Sequence, residues 1–221
     1  MVEKLVMGID EAGRGPVIGP LVICGLVVKE ADQATLKSIG AKDSKLLTAK
    51  QREALLEAIK ALAVSYKLIT ITPQEIDDAL NDPNTNLNWL EADKAVELID
   101  VLKPDHVFID CPSTNIPAYT DYIRSRLKHN AVLQCAHHAD RDYPVVSGAS
   151  ILAKLARDAE LDKIKKTVGQ DFGSGYPHDP ITRAFLEKNW NKHPFIFRHS
   201  WATYKKIVDE FKGNQKKLGG Y

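Results

Sequence analysis

Apolar and polar positions along the chain switch repeatedly between a period of two and a period of 3.6. Leu5 to Ile9 is a short apolar run that stops at Asp10 and Glu11, and Leu21 to Val28 is a β-branched run entered through Gly19-Pro20. The AGRGP segment between them carries turn-favouring glycines, so the two runs predict a hairpin. Leu55, Ile59 and Leu62 recur at helical spacing after Thr48, a suitable N-cap, and Tyr66 to Thr72 alternates like a strand. Trp89 to Leu102 is again helical and ends before Pro104, whereas Val107-Phe108-Ile109 is a buried-strand run that stops at Asp110. A helix over Ala118 to Lys128, a fifth strand over Ala131 to Ala136 and a long helix rich in small residues over Val145 to Val168 complete the series. A hairpin followed by alternating helices and strands predicts an α/β domain with a mixed, layered sheet. The glycines and prolines of DFGSGYPHDP interrupt the pattern, and helices around Ile181 to Trp190 and Trp201 to Phe211 follow.

Composition narrows the class without naming a function. At 221 residues, 44% of them hydrophobic and 27% charged, the chain suits one large domain with a small appendage. No stretch approaches the roughly 20 apolar residues of a bilayer span, and the N-terminus has no basic leader, so a cytoplasmic protein with no membrane partner is expected. Cys24, Cys111 and Cys135 are odd in number, widely spaced and set in apolar segments. They read as small core residues rather than as a disulfide framework or a zinc site. Net charge is +1, but residues 183 to 221 hold nine Lys or Arg against three acids, which is +6 and leaves −5 for the remainder. A basic C-terminal arm beside an acidic body is either a solvated helical surface or a contact for a phosphate backbone.

The candidate chemistry lies where strands end. LVMGID and VFID are both apolar runs that terminate in an acid, Asp10 and Asp110. In open α/β sheets ligands collect at the carboxyl ends of strands. If these two strands are parallel neighbours, about 4.8 Å apart, their carboxylates lie close together, and like charges at that range call for a proton or a bridging cation. A hard divalent ion with oxygen ligands answers that need, and Glu11 beside Asp10 adds enough oxygens for two ions. A further acid follows the fifth strand in HHADRDYPV, where periodicity does not choose among Asp140, Asp142 and Asp158.

At these residues the chain resembles a known family. GIDEAGRGPVIGPLV, KDSK at Lys42 to Lys45, VFID, ADRDYPVVSGASILAKLARD and GSGYPHDP together resemble the ribonuclease HII (type 2 ribonuclease H) family over nearly the whole length. The resemblance implies a ribonuclease H-like fold, a five-stranded mixed sheet flanked by helices with a C-terminal helical subdomain. The domains expected are 1–172 (catalytic), 173–212 (helical) and 213–221 (tail). It also implies that the fourth carboxylate is Asp140, giving the metal-binding and catalytic set Asp10, Glu11, Asp110 and Asp140. The cofactors expected are Mg2+ or Mn2+, two ions per site. In the implied division of roles Asp10 bridges both ions, Asp140 serves the nucleophile side, and Glu11 with Asp110 serve the leaving group.

The same resemblance assigns the substrate. It implies hydrolysis of the RNA strand of RNA/DNA hybrids and cutting 5′ of single ribonucleotides in duplex DNA, leaving a 3′-hydroxyl and a 5′-phosphate. The 2′-hydroxyl is the handle that distinguishes RNA from DNA. Gly13, Arg14 and Gly15, whose glycines allow close backbone approach, match the family tripeptide that reads it. Tyr176 matches the tyrosine that stacks on the following deoxynucleotide sugar. Lys42, Lys45, Lys154 and Arg157 are candidates for phosphate contact, although Lys154 and Asp158 also stand four apart on one helix. Gln215, Leu218 and Tyr221 have the spacing of a degenerate sliding-clamp-binding peptide, and a monomer is expected. The rival readings are a DNA-directed nuclease of the same fold and a non-catalytic hybrid-binding protein.

Overall fold

The computed structural model describes residues 3–40 and 48–218. Its strands are β1 (Leu5–Ala12), β2 (Leu21–Lys29), β3 (Ala63–Ile71), β4 (His106–Asp110) and β5 (Val132–Ala136). Its helices are α1 (Gln33–Ser38), α2 (Ala49–Leu62), α3 (Pro73–Asn81), α4 (Leu87–Leu102), α5 (Ile116–Arg126), α6 (Ala139–Asp142), α7 (Pro144–Val168), α8 (Pro180–Asn189) and α9 (Ala202–Leu218). The strands form one five-stranded sheet in the order β3-β2-β1-β4-β5. β1 and β2 pair antiparallel as the expected hairpin, whereas β1 with β4 and β4 with β5 pair parallel. The sheet is therefore mixed, with β1 inside it.

Local chemistry explains most boundaries. Thr48 accepts a hydrogen bond from the Gln51 amide while the Gln51 side chain accepts from the Thr48 amide, a reciprocal cap that starts α2. Thr72 and Glu75 form the same arrangement ahead of α3, with Pro73 in its first turn. That helix is absent from the hydrophobic pattern, which carried the preceding strand through Thr72. α5 begins two residues earlier than its periodicity suggests because Asn115 accepts from the Ala118 amide.

The chain divides into two compact units. The first comprises Met1–Ala12, Val22–Thr70 and Leu87–Arg157, and the second Gly13–Leu21, Ile71–Asn86 and Asp158–Tyr221. In the first, Val6 of β1 and Cys24, Leu26 and Val28 of β2 form one buried cluster with Val145, Val146, Ala149 and Leu152 of α7. Small residues let that helix approach closely. A Cβ on Gly8 would collide with the backbone of Val145 and Val146, so the glycine lets the first turn of α7 lie directly on β1. Cys24 and Cys111 are buried and Cys135 half-buried, all as free thiols, and burial raises the pKa of each.

The second unit has its own core, in which Val17, Ile18, Phe172, Phe185, Leu186, Ile196, Phe197 and Ile207 pack together. A bridge between Ile18 and Phe197 ties the segment after the glycine turn to the approach to α9. Asp77 joins α3 to the same stretch, accepting from the His199 and Ser200 amides at 2.7 and 2.9 Å.

Candidate functional site

The parallel register sets Ile9 beside Ile109 and Asp110 beside Ala136. The carboxyl ends of three neighbouring strands therefore lie together, β1 offering Asp10, β4 offering Asp110, and β5 leading through His137 and His138 into α6, which carries Asp140. His138 takes a left-handed conformation (φ 58°) that turns the chain into that short helix. The Ala139 amide donates to Asp110 Oδ1 at 3.1 Å. Asp110 thus holds the turn that presents its neighbour, the local bonding role of a strand-end acid, while standing in the acidic group.

One carboxylate oxygen from each of Asp10, Asp110 and Asp140 lies within 4.8 Å of the others. Asp10 and Asp140 are only 4% and 1% exposed, which makes uncompensated negative charge at both costly. Burial pushes the Asp10 carboxyl up to about 7. The Lys154 ammonium and a hydrogen bond from Ser150 oppose that rise, the charge of Asp110 adds to it, and the Glu11 amide, donating to Asp10 Oδ1 at 2.7 Å, opposes it. Lys154 Nζ in turn donates to Ser150 Oγ at 2.6 Å, so one face of α7 supplies both a hydroxyl and a cation to Asp10. Three converging carboxylates at short range form an all-oxygen donor set that suits a hard divalent cation.

The remaining sequence candidates fall in separate places. Glu11 is not a member of the close group. The charge of Asp10 acts on Cys24, its cross-strand partner, whereas the charges of Glu11 and Asp110 both act on Cys111. Of the three acids left open around α6, Asp140 is buried and in the group, Asp142 is exposed, and Asp158 lies on α7 in the second unit. Lys154 reaches back along α7 to Ser150, and Arg157 is 6% exposed. Lys42, Lys45 and Tyr221 lie outside the described residues, as do the side chains of Gln215 and Leu218 at the end of α9.

Gly13, Arg14, Gly15 and Tyr176 all belong to the second unit, and there they meet. A Cβ on Gly15 would stand 3.5 Å from Tyr176 Cε1, so the ring lies against the bare glycine. The loop bearing Tyr176 is fixed on both flanks. The Val17 amide donates to the Gly175 carbonyl at 2.8 Å, and Ser174 donates through its amide and its hydroxyl to Asp179 Oδ2, each at 2.7 Å. The two Ser174 bonds, the hydroxyl's first, hold the Asp179 carboxyl at about 2, below its usual range.

Sequence reasoning missed two participants. Ser150 carried no signal beyond standing four residues before Lys154 in a run of small residues. Arg198 was counted with the basic C-terminal arm, yet it is fully buried and donates to the carbonyls of Gly13, Arg14 and Gly19. Among the described residues no helix is long and apolar enough to cross a membrane.

Comparison with known proteins converges on one family. The family model for ribonuclease HII matches residues 7–204. Ribonuclease HII of Pyrococcus furiosus is 43% identical over 216 residues, covering 96% of this chain and 94% of that protein. Its counterpart in Methanocella arvoryzae is 43% identical over 206 residues, covering 92% and 91%. The crystal structure of ribonuclease H2 from Pyrococcus horikoshii superposes with a TM-score of 0.86 at 40% identity, over 94% of this chain and 99% of that one. The ribonuclease HII in a complex with PCNA from Archaeoglobus fulgidus gives 0.79 at 34% identity, over 91% and 96%. With a mixed five-stranded sheet, an aspartate cluster at its strand ends and these relatives along nearly its whole length, the chain belongs to the ribonuclease HII family of metal-dependent endoribonucleases.

Proposed function

We propose that this enzyme hydrolyses the RNA strand of RNA/DNA hybrids and cuts on the 5′ side of single ribonucleotides in duplex DNA, leaving a 3′-hydroxyl and a 5′-phosphate. The observation that carries the reading is the convergence of Asp10, Asp110 and Asp140 within 4.8 Å. These three would hold a divalent cation, Mg2+ or Mn2+, and Glu11 at the same strand end would add oxygens for a second. When bound, such ions supply an activated water and neutralise charge on the leaving oxygen. Asp10, whose pKa burial raises to about 7, would give up its proton where a cation is held. The Ser150 hydroxyl and the Lys154 ammonium keep the Asp10 carboxylate oriented as that proton leaves. Asp110 steadies the turn bearing Asp140 through the Ala139 amide.

Choice of substrate falls to the second unit. Gly13, Arg14 and Gly15 would meet the 2′-hydroxyl with backbone groups, and Tyr176, packed against Gly15, would stack on the next sugar. Lys154 and Arg157, with Lys42 and Lys45, would balance phosphate charge. The basic helices α8 and α9 would hold the duplex with an affinity that falls as salt rises.

The test uses a DNA duplex carrying one ribonucleotide, with and without divalent metal, the product ends being mapped. Cleavage only with metal, 5′ of the ribonucleotide, is expected, and cleavage of an all-deoxy duplex would overturn the reading in favour of a DNA-directed nuclease. Asp10→Asn should abolish turnover while leaving hybrid binding measurable.

A second reading concerns the C-terminus. The Archaeoglobus relative was solved with PCNA, and Gln215, Leu218 and Tyr221 have a clamp-peptide spacing. We infer that this tail binds a sliding clamp. Removing residues 215–221 should end co-elution with the clamp without altering activity on free duplex; retained co-elution would refute it.

A further inference from the structure

The least expected side chain in the second unit is Arg198. Its guanidinium is fully buried, and its hydrogen bonds run to main-chain carbonyls: Nη2 donates to Gly13 O at 2.6 Å, Nη1 to Arg14 O at 2.9 Å, and Nε to Gly19 O at 3.0 Å. Three residues on, Trp201 Nε1 donates to Gly15 O at 3.1 Å, and the Trp201 ring lies 4.9 Å from Arg198 Cζ. Every carbonyl of the tripeptide Gly13-Arg14-Gly15 thus accepts a hydrogen bond from the four-residue stretch Arg198 to Trp201.

We propose that Arg198, assisted by Trp201, is the positioning residue that fixes the Gly13-Arg14-Gly15 backbone for discrimination of the sugar. The inference rests on the reading that this tripeptide inspects the 2′-hydroxyl. Discrimination by a single hydroxyl requires groups held in place beforehand, because a site that adapts to the hydroxyl's absence loses its selectivity. A glycine-flanked tripeptide has the opposite tendency. Gly13 sits at φ 91°, and glycine's broad conformational range lets adjacent peptide planes rotate. Arg198 removes that freedom. A guanidinium offers five donors in a rigid planar fork, so bonds to Gly13 and Arg14 tie the two successive peptide planes to one rigid group. Such charge-assisted bonds are roughly twice as strong as neutral ones.

The clamp is itself anchored. The Arg198 amide donates to Val17 O at 2.9 Å, and neighbouring Phe197 bridges to Ile18. Both belong to the segment that continues from the tripeptide, and both sit in the core of the unit. Arginine is required because a lysine ammonium presents its donors from a point and cannot reproduce the fork.

The experiment compares wild type, Arg198→Lys and Trp201→Phe on a duplex with one ribonucleotide and on a long RNA/DNA hybrid. Separate kcat and KM values and thermal melts are recorded for each protein. A displacement of about 1 Å in a positioning group lowers rate by roughly a hundredfold. That is the fall expected in kcat for Arg198→Lys on the single ribonucleotide, with KM little changed and a smaller fall on the long hybrid. Trp201→Phe keeps a smaller aromatic ring and removes the indole N–H donor to Gly15, for which about a tenfold fall is expected. A merely structural role would lower both substrates alike and track the melting temperature. That result, or wild-type kcat in either folded variant, overturns the proposal. Should Arg198→Lys not fold, Trp201→Phe decides alone. If wild type cuts all-deoxy and ribonucleotide-bearing duplexes equally, the reading of the tripeptide fails before the variants are compared.

Discussion

Asp10→Asn should stabilise the metal-free protein at alkaline pH while removing its activity. Asparagine matches the protonated aspartic acid in size and charge, so the variant mimics a state that the buried wild-type residue leaves as pH rises. An acid whose folded pKa lies above its unfolded one costs stability when ionised. The cost is absent below the unfolded value of 3.8, grows as pH rises towards the folded value of about 7, and is constant above it. At about 1.4 kcal/mol per pH unit, that interval corresponds to about 4 kcal/mol at pH 8. Relaxation around the charge lowers this, so 4 kcal/mol is an upper limit. For a chain of this size, 1 kcal/mol moves the melting temperature by about 2–4 °C. The assay is urea or thermal unfolding of both proteins in chelator at pH 4 and pH 8. The variant should gain on the wild type between the two conditions, and added Mn2+ should stabilise the wild type alone. A variant less stable than wild type at pH 8 without metal would refute the argument that Asp10 is a strained charge awaiting a cation.

Other consequences are more local. Ser150→Ala removes a hydroxyl that donates to Asp10 and accepts from Lys154; metal affinity by calorimetry should fall about tenfold, consistent with about 1.5 kcal/mol for a bond to a charged group, with little change in fold. Gly8→Ala drives a methyl into the backbone of Val145 and Val146 and should cost about 3 kcal/mol in urea unfolding. Tyr176→Ala should lose cleavage at a single ribonucleotide more than cleavage of long hybrids, and equal losses on the two substrates would count against stacking on the junction sugar.

Features set by local signals were legible in the sequence. The hairpin, the apolar runs leading into Asp10 and Asp110, and the cap at Thr48 are encoded within a few residues; β1 continues to Ala12, two residues past Asp10, and pairs parallel with β4. α3 had a signal too, Thr72-Pro73 with Glu75, but it overlaps the end of an alternating strand pattern, which masked it. Asp140 could not be told from Asp142 because its burial depends on a turn fixed by Asp110, 30 residues away. Arg198 gave no hint at all, since its partners are carbonyls of residues 13, 14 and 19, and main-chain acceptors leave no mark in a sequence.

The bond from the Ala139 amide to Asp110 has a thermodynamic consequence for ion capture. A carboxylate has two oxygens, so Asp110 can restrain the four-residue α6 with one and face a cation with the other. Ordering a residue costs about 1–2 kcal/mol in backbone entropy, and for this turn that loss is taken during folding. A cation would then meet carboxylates already gathered within 4.8 Å of one another. Binding there would carry no disorder-to-order term from this turn, and the Ala139 amide proton is a built-in probe of whether the turn stays closed with and without metal.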